Sequence, residues 1–422
     1  MKLKKIAALI ALAGLSGSAF ATNGYFAHGY GMKAKGMGGV GIAYGQDAMA
    51  AATNPANMVL VGNRWDVGVD YFRPQRESRI VGTPGGFADG KFDGNSSEDY
   101  FIPEFGYNKM IANNMSLGVS VYGNGGMATD YDRNPYGAYG ATGNAGVDYS
   151  QLMIAPTWSY KLNENHSIGV TVKIAYQRFE AFGIGLFSPM SSAPTKVSNN
   201  DHDSSWGYGI ALGWTGQITP TVKLGATYHS RTYMQDFGDY KGLFAEKGSM
   251  DIPESYGVGM SWQATPQLVI AADVMQINFS EINAVGNRLN PNNLPFPFGT
   301  APQLGTNKGA GFGWNDVTAY KIGAAYDLNK EWTVRAGYNY GGQPIPKSQT
   351  FFNILAPGVV EDHLTLGATW RLASGGEVTF AYMHAFEETV KGSGSIPPAF
   401  GGGNANLKMY EDSFGVAYGI KF

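Results

Sequence analysis

The chain has no cysteine among its 422 residues, so neither a disulfide framework nor a thiolate metal site is open to it. Charged residues are scarce, at 15%. Beyond the first residues, no apolar run reaches the ~20 residues that a membrane-crossing helix requires. The six histidines (His28, His166, His202, His229, His363 and His384) follow no repeated spacing, and the H-E-x-x-H pattern is absent. No metal and no cofactor are expected. A hydrolase would have to draw on Asp201-His202-Asp203-Ser204 or His229-Ser230, neither of which carries a recognised spacing.

What is present begins with MKLKKIAALIALAGLSGSAFA. Three lysines, an apolar stretch from Ile6 to Leu15 and small residues ending in Ala19-Phe20-Ala21 form a secretory signal with an A-x-A cleavage site. The stretch is too short to span a bilayer. Residues 1–21 are therefore expected to be removed, leaving 401 residues from Thr22. Of the 30 basic residues three lie in this leader, which leaves 27 against 33 acidic ones and a net charge of −6. That balance gives no basic footprint for nucleic acid.

Sixty glycines and 13% aromatics suggest β structure, and periodicity supports it. Ile168, Val170, Val172, Ile174 and Tyr176 alternate with Ser167, Gly169, Thr171, Lys173, Ala175 and Gln177. Residues 331–340 and 413–422 alternate in the same way. Fourteen such segments can be counted, near 64–73, 100–109, 115–123, 149–160, 167–179, 204–216, 220–231, 250–263, 267–282, 316–328, 331–342, 361–372, 375–386 and 411–422. Most reach the ~10 residues of a tilted membrane strand, where soluble strands average ~5–6.

Connections alternate between short turns, such as IANN at 111–114 and LNK at 328–330, and long loops at roughly 74–99, 124–148, 180–203, 232–249, 283–315, 343–360 and 387–410. This is the pattern of a transmembrane β-barrel with periplasmic turns and extracellular loops. The predicted fold is all-β: a 14-stranded antiparallel barrel, residues 63–422, in the bacterial outer membrane. Closure leaves no unpaired sheet edge in lipid.

Residues 22–62 precede the first strand and include KGMGGVGIAYGQDAMAAATNPANM. A barrel of this size encloses more space than its own side chains fill. Small residues such as Gly36, Gly38, Gly39, Gly41 and Ala48 let a backbone run close to a wall, while Met37, Val40, Ile42, Met49 and Met58 call for burial. The segment is predicted to plug the lumen; the alternative is a flexible periplasmic tail.

Four stretches then carry a resemblance. The glycine-rich segment closing with Asp47 and Asn54-Pro55-Ala56, YGNGGMATDYD at 122–132, WGYGIALGW at 206–214 and VRAGYNYGGQPIP at 334–346 resemble the FadL/TodX family of outer-membrane transporters for long-chain fatty acids and hydrocarbons. The resemblance implies a monomeric barrel with an N-terminal hatch cornered at Asn54, Pro55 and Ala56. It implies a kinked third strand as a lateral opening, here at Gly126; a plain turn into the next loop is the alternative. It also implies a hydrophobic capture groove in the loops at 180–203 and 232–249, which supply Phe182, Ile184, Leu186, Phe187, Met190, Phe237, Leu243 and Phe244. These residues could instead pack on one another to order the loops. Expected partners are a small hydrophobic substrate, outer-membrane lipid and lipopolysaccharide, and the barrel-assembly machinery, which would read the terminal Phe422. Fatty-acid members hold the carboxylate with basic residues, one just after the fifth strand. AFGIGLFSPM at 181–190 contains no lysine or arginine, although Arg178, Arg288 and Lys308 are near in sequence. Passive uptake of neutral hydrocarbons or aromatics is therefore expected over that of fatty acids. A general diffusion porin is the competing class.

Overall fold

The protein is described by a computed structural model covering residues 22–422; the expected leader, 1–21, lies outside the described residues. The strands are β1 (Arg64–Val81), β2 (Gly90–Asp93), β3 (Tyr100–Ala112), β4 (Met115–Tyr131), β5 (Ala145–Lys161), β6 (His166–Phe182), β7 (Asp203–Thr219) and β8 (Val222–His229). They continue with β9 (Tyr233–Met234), β10 (Ser255–Gln263), β11 (Leu268–Ile277), β12 (Val317–Asp327), β13 (Trp332–Gly341), β14 (Asp362–Arg371), β15 (Gly376–Val390) and β16 (Asn404–Lys421). Leaving aside the short β2 and β9, fourteen strands pair in order and close through β16 on β1. Every pairing is antiparallel, and the closing seam runs from Arg64 opposite Lys421 to Val81 opposite Asn404.

The two faces of the wall are inverted relative to a soluble barrel. Trp206, Tyr208, Ile210 and Leu212 on β7, and Tyr256, Val258, Met260 and Trp262 on β10, all stand exposed on the outside. Thr157, Thr171, Lys173, Gln151 and Gln177 are buried on the inside. Apolar outside and polar inside is the arrangement for a wall bathed in lipid. Among the described residues no helix is long and apolar enough to cross a membrane.

Several strands outrun their sequence-based limits at the extracellular side. β1 continues to Val81 rather than 73, β4 to Tyr131 rather than 123, and β16 begins at Asn404 rather than 411. Gly123 to Gly126 consequently lie within the third wall strand, β4, and not at its end. The irregularity falls two residues earlier than expected: Gly123 pairs with Leu152 and Gly125 with Gln151, so Asn124 is the bulged residue. An extra residue in one strand bends it and raises its twist. Beyond the Phe105–Val121 pair the ladder between β3 and β4 stops, while β3 keeps pairing with β1 and β4 with β5. The wall has a seam there.

Residues 22–62 lie inside the barrel, since they meet lumen-facing groups around the whole wall. Gly38 N–H donates to Thr365 Oγ1 of β14, Gly41 N–H to Asp273 of β11, Ala48 N–H to Asp66 of β1 and Val59 N–H to Ser159 of β5. The wall's own glycines make room for this course. A Cβ on Gly36 would stand 2.8 Å from the Cα of Gly367, and one on Gly367 3.0 Å from the Cα of Gly36. Backbone meets backbone there, and neither position accepts a side chain.

Candidate ligand path through the lumen

Extracellular loops gather over the β5–β6 side of the barrel around a small, partly open apolar cavity. Ile184 and Phe187 follow β6, Leu243 and Phe244 follow β9, and Phe179 and Val147 stand on the wall. Ala284, Leu304, Ala310, Gly311 and Phe312 come from the segment after β11, and Phe352 and Leu355 from the one after β13. None of these lining residues has a polar side chain.

Of the residues selected from sequence, Ile184, Phe187, Leu243 and Phe244 line this cavity. Met190 and Phe237 are fully buried behind it, and Leu186 packs on the same core. The Phe237 ring lies tilted 5.8 Å from Phe179 and so packs behind a lining ring. Phe182 belongs to no loop; it ends β6, pairs with Gly146 and does not line the cavity. Phe312, Leu304, Phe352 and Leu355 were missed because they lie more than 100 residues downstream of Ile184 and Phe187. Only the apolar residues in the glycine-rich stretch GAGFGW at 309–314 hint at them.

Behind the lining ring of Phe179 stands an aromatic cluster that does not itself line the cavity. Tyr149 sits 6.2 Å from the lining ring of Phe179 and 5.9 Å from Tyr25 of the N-terminal segment. Tyr25 is also held by Phe279 at 4.9 Å and Trp314 at 5.8 Å. Such edge-on and tilted ring pairs contribute ~0.5–1.5 kcal/mol each beyond area burial. On its far side the same stretch docks on the β4 bulge: Gly126 N–H donates to the Tyr25 carbonyl at 3.0 Å and Ala27 N–H to the Asn124 carbonyl at 3.1 Å. Backbone groups that the interrupted ladder leaves without a strand partner are satisfied in this way.

On the other side of this cluster, lined in part by Phe26, lies a second small cavity. Its lining is mixed: Phe26, Tyr30, Met153, Ile252 and Met275 share it with Tyr122, Asn124, Lys173, His229 and Lys321. Lys173 Nζ donates to the Ser230 carbonyl at 2.6 Å and Lys321 Nζ to the His28 carbonyl at 2.8 Å. His28 is held neutral by burial, with His363 beside it. His229 donates to the Thr53 carbonyl, and His202 lies at the rim between Asp148 and Glu180. Neither is paired with a serine hydroxyl in a nucleophilic arrangement. Among the described residues no group of three or more potential metal ligands is assembled.

The rest of the segment is fastened more firmly. The Asn54 side chain donates to the carbonyls of Ile42 (2.7 Å) and Trp214 (3.0 Å) and accepts from Ala56 N–H. Pro55 starts a short 3₁₀ turn, and the Ala56 carbonyl accepts from Ser159 and Ser167 at 3.1 Å each. Toward the periplasmic end, Lys33 and Arg64 share Glu377, Arg64 pairs with Asp66, and Lys35 pairs with Asp70 at 2.7 Å.

Asp47 lies beside this ion group, with Lys33, Arg64 and Asp66 facing it. Burial, reinforced by the Asp66 carboxylate, raises its pKa from 3.8 to about 6 against the pull of Lys33 and Arg64. A carboxyl raised in the docked state favours docking fully below its ordinary pKa and loses that contribution as pH climbs through about 6. Hydrogen exchange at residues 31–50, corrected for intrinsic rates, is therefore expected to show about tenfold or more greater protection at pH 5 than at pH 8. Asp47→Asn should reduce the difference, most strongly at the residues next to position 47. Protection that falls on acidification would contradict this assignment.

A closed fourteen-stranded wall with lipid-facing aromatics, a lumen filled by its own N-terminal segment and an apolar cavity under the extracellular loops define an outer-membrane channel for hydrophobic solutes. The chain belongs to the outer membrane protein transport protein family (OMPP1/FadL/TodX), whose profile it matches over residues 15–398. It is 23% identical over 413 residues to the long-chain fatty acid transport protein of Escherichia coli O6:H1, covering 86% of each chain. In fold it is similar to a Pseudomonas aeruginosa FadL homologue (TM-score 0.70, 17% identity, 94% of this chain and 99% of that one). It is also similar to the Pseudomonas putida toluene transporter TodX (TM-score 0.66, 16% identity, the same coverage). The protein is thus a bacterial outer-membrane transporter of hydrophobic compounds or fatty acids, in a family of transport proteins rather than enzymes.

Proposed function

We propose that the protein mediates passive uptake of small, uncharged hydrophobic molecules, with residues 22–62 as its hatch, residues 63–422 as its wall and residues 1–21 as a cleaved leader. The observation that carries this reading is the outer cavity, whose lining offers no polar side chain and whose Phe179 connects through Tyr149 to Tyr25 of the hatch. A solute that has crossed the lipopolysaccharide layer gains ~0.8 kcal/mol per buried methylene there. Displacement of Gly24 to Ala27 would join the two cavities, and the seam between β3 and β4 would release the solute sideways into the membrane. The terminal Phe422, exposed beside Tyr107, would be read by the barrel-assembly machinery.

A second reading, transport of long-chain acids, is favoured by Lys173 and Lys321 in the inner cavity. A general diffusion porin is disfavoured by the filled lumen. Proteoliposomes that accumulate toluene while excluding a small sugar and carrying no steady large conductance would support the proposal. Sugar permeation with steady conductance would overturn it.

Lateral release has its own test at Gly126, whose N–H holds Tyr25. Gly126→Val is expected to crowd the seam and slow toluene accumulation severalfold, with the heat-resistant barrel retained on a gel. Unchanged rates would redirect release to the periplasmic end.

A further inference from the structure

The extracellular crown carries aromatic rings outside the apolar cavity. Phe87, Phe296 and Phe298 are 50%, 68% and 46% exposed, and phenylalanines grouped in water at one place call for a partner. Phe87 and Phe298 flank the turn at 397–402. A Cβ on Gly401 would stand 2.8 Å from the Phe87 ring, and Phe298 lies 5.5 Å from Phe400. Tyr139 lies beneath, edge-on to both Phe87 at 5.6 Å and Phe400 at 5.9 Å. From Phe400 the series continues to Phe187 at 6.1 Å, and Phe187 lines the cavity. Rings from separate extracellular loops thus run without a break from the surface to the cavity.

We propose that this series is the outer mouth of the transport path and that it selects planar aromatic solutes. The inference deepens the uptake reading and rests on the outer cavity being the ligand site. It places the mouth at Phe87 and Phe298, away from the loops at 180–203 and 232–249. The contacts in the series are mostly edge-on. A flat aromatic solute can exchange one such contact for another at each step, so its passage meets no point at which a ring contact is lost without replacement. A saturated hydrocarbon gains only area. Ordering the loops accounts for Phe400 and Phe351, which are buried, but not for Phe87 and Phe298, which keep about half their surface in water.

The test uses the full barrel in proteoliposomes with naphthalene and decalin, which match in carbon count. Phe87→Ala combined with Phe298→Ala is expected to slow naphthalene accumulation at low concentration by about fivefold and decalin by less than about twofold. Phe298→Leu should preserve decalin flux and still slow naphthalene. Equal slowing of both solutes, or none, would overturn the proposal. Leu355→Trp, which fills the cavity, separates the two readings. If it stops both fluxes while the crown variants have no effect, only the mouth is wrong; if both fluxes persist through it, the cavity reading fails and the mouth with it.

Discussion

Gly125→Val is expected to leave a barrel that folds, keeps its heat-resistant mobility and conducts ions steadily where the native protein does not. A Cβ at this position, next to the bulge, would fall on the Tyr25 carbonyl, with the Tyr25 carbonyl carbon 3.0 Å away. Its neighbour is backbone rather than a flexible side-chain tip, so the hatch has to move. Moving it forfeits the hydrogen bonds from Gly126 and Ala27, each worth ~0.5–1.5 kcal/mol net, along with part of the ring contacts to Phe279, Trp314 and Tyr149. A combined loss of about 2–4 kcal/mol raises the undocked fraction roughly 30- to 1,000-fold. The wall keeps its β4–β5 ladder, and so the effect falls on gating rather than assembly. Single-channel recording in planar bilayers reads it, with Gly125→Ala as the milder comparison. A silent Gly125→Val barrel would mean that residues 24–27 do not close the path.

The same contacts divide the N-terminal segment into a firmly and a lightly held part, and so predict which part would move. Residues 31–62 are held by Glu104, Asp273, Asp66 and the Asn54 network, whereas Gly24 to Ala27 rely on ring edges and a few backbone bonds. Opening should therefore begin at 22–30, with Asn54-Pro55-Ala56 as its fixed anchor. Gly31, at φ 83°, stands between the two parts, and its N–H is tied to Glu104 at 3.2 Å. Local opening free energies follow this kind of difference in contact density.

The wall was legible in the sequence because lipid enforces alternation on every strand that crosses it. All fourteen crossings follow from that one constraint. The extensions beyond the bilayer were not legible, since Pro74 to Val81 and Asn404 to Tyr410 continue the ladder in water, where the outward face needs no apolar residue. Gly123 to Gly126 was read as a strand end for a related reason. Glycine marks a bulge and a turn equally well, and only the partner register distinguishes them. The outer cavity was half legible: apolar residues in loops can be seen in a sequence, but which of them converge depends on contacts across more than 100 residues. The inner cations were missed because Lys173 reads as one polar member of an alternating strand, and only burial gives it meaning.

Those cations frame the decisive experiment on substrate. A neutral hydrocarbon of a given carbon count is expected to bind more tightly than the acid of the same count. The acid must first shed water from its carboxylate inside an outer cavity that offers no donor side chain, at a cost of several kcal/mol. Compensation lies in the inner cavity, where Lys173 and Lys321 each already donate to a backbone carbonyl and a charged hydrogen bond returns ~1.5–3 kcal/mol. The paired change Lys173→Met with Lys321→Met should therefore leave hydrocarbon binding within about twofold. Whatever affinity the acid has should fall about tenfold or more, as expected for losing one such bond. Competition between the two ligands on purified barrel reads both arms. If the acid displaces the hydrocarbon from the native protein at tenfold lower concentration, and the paired variant abolishes that advantage, the neutral-solute assignment is wrong and the lysines define a carboxylate site.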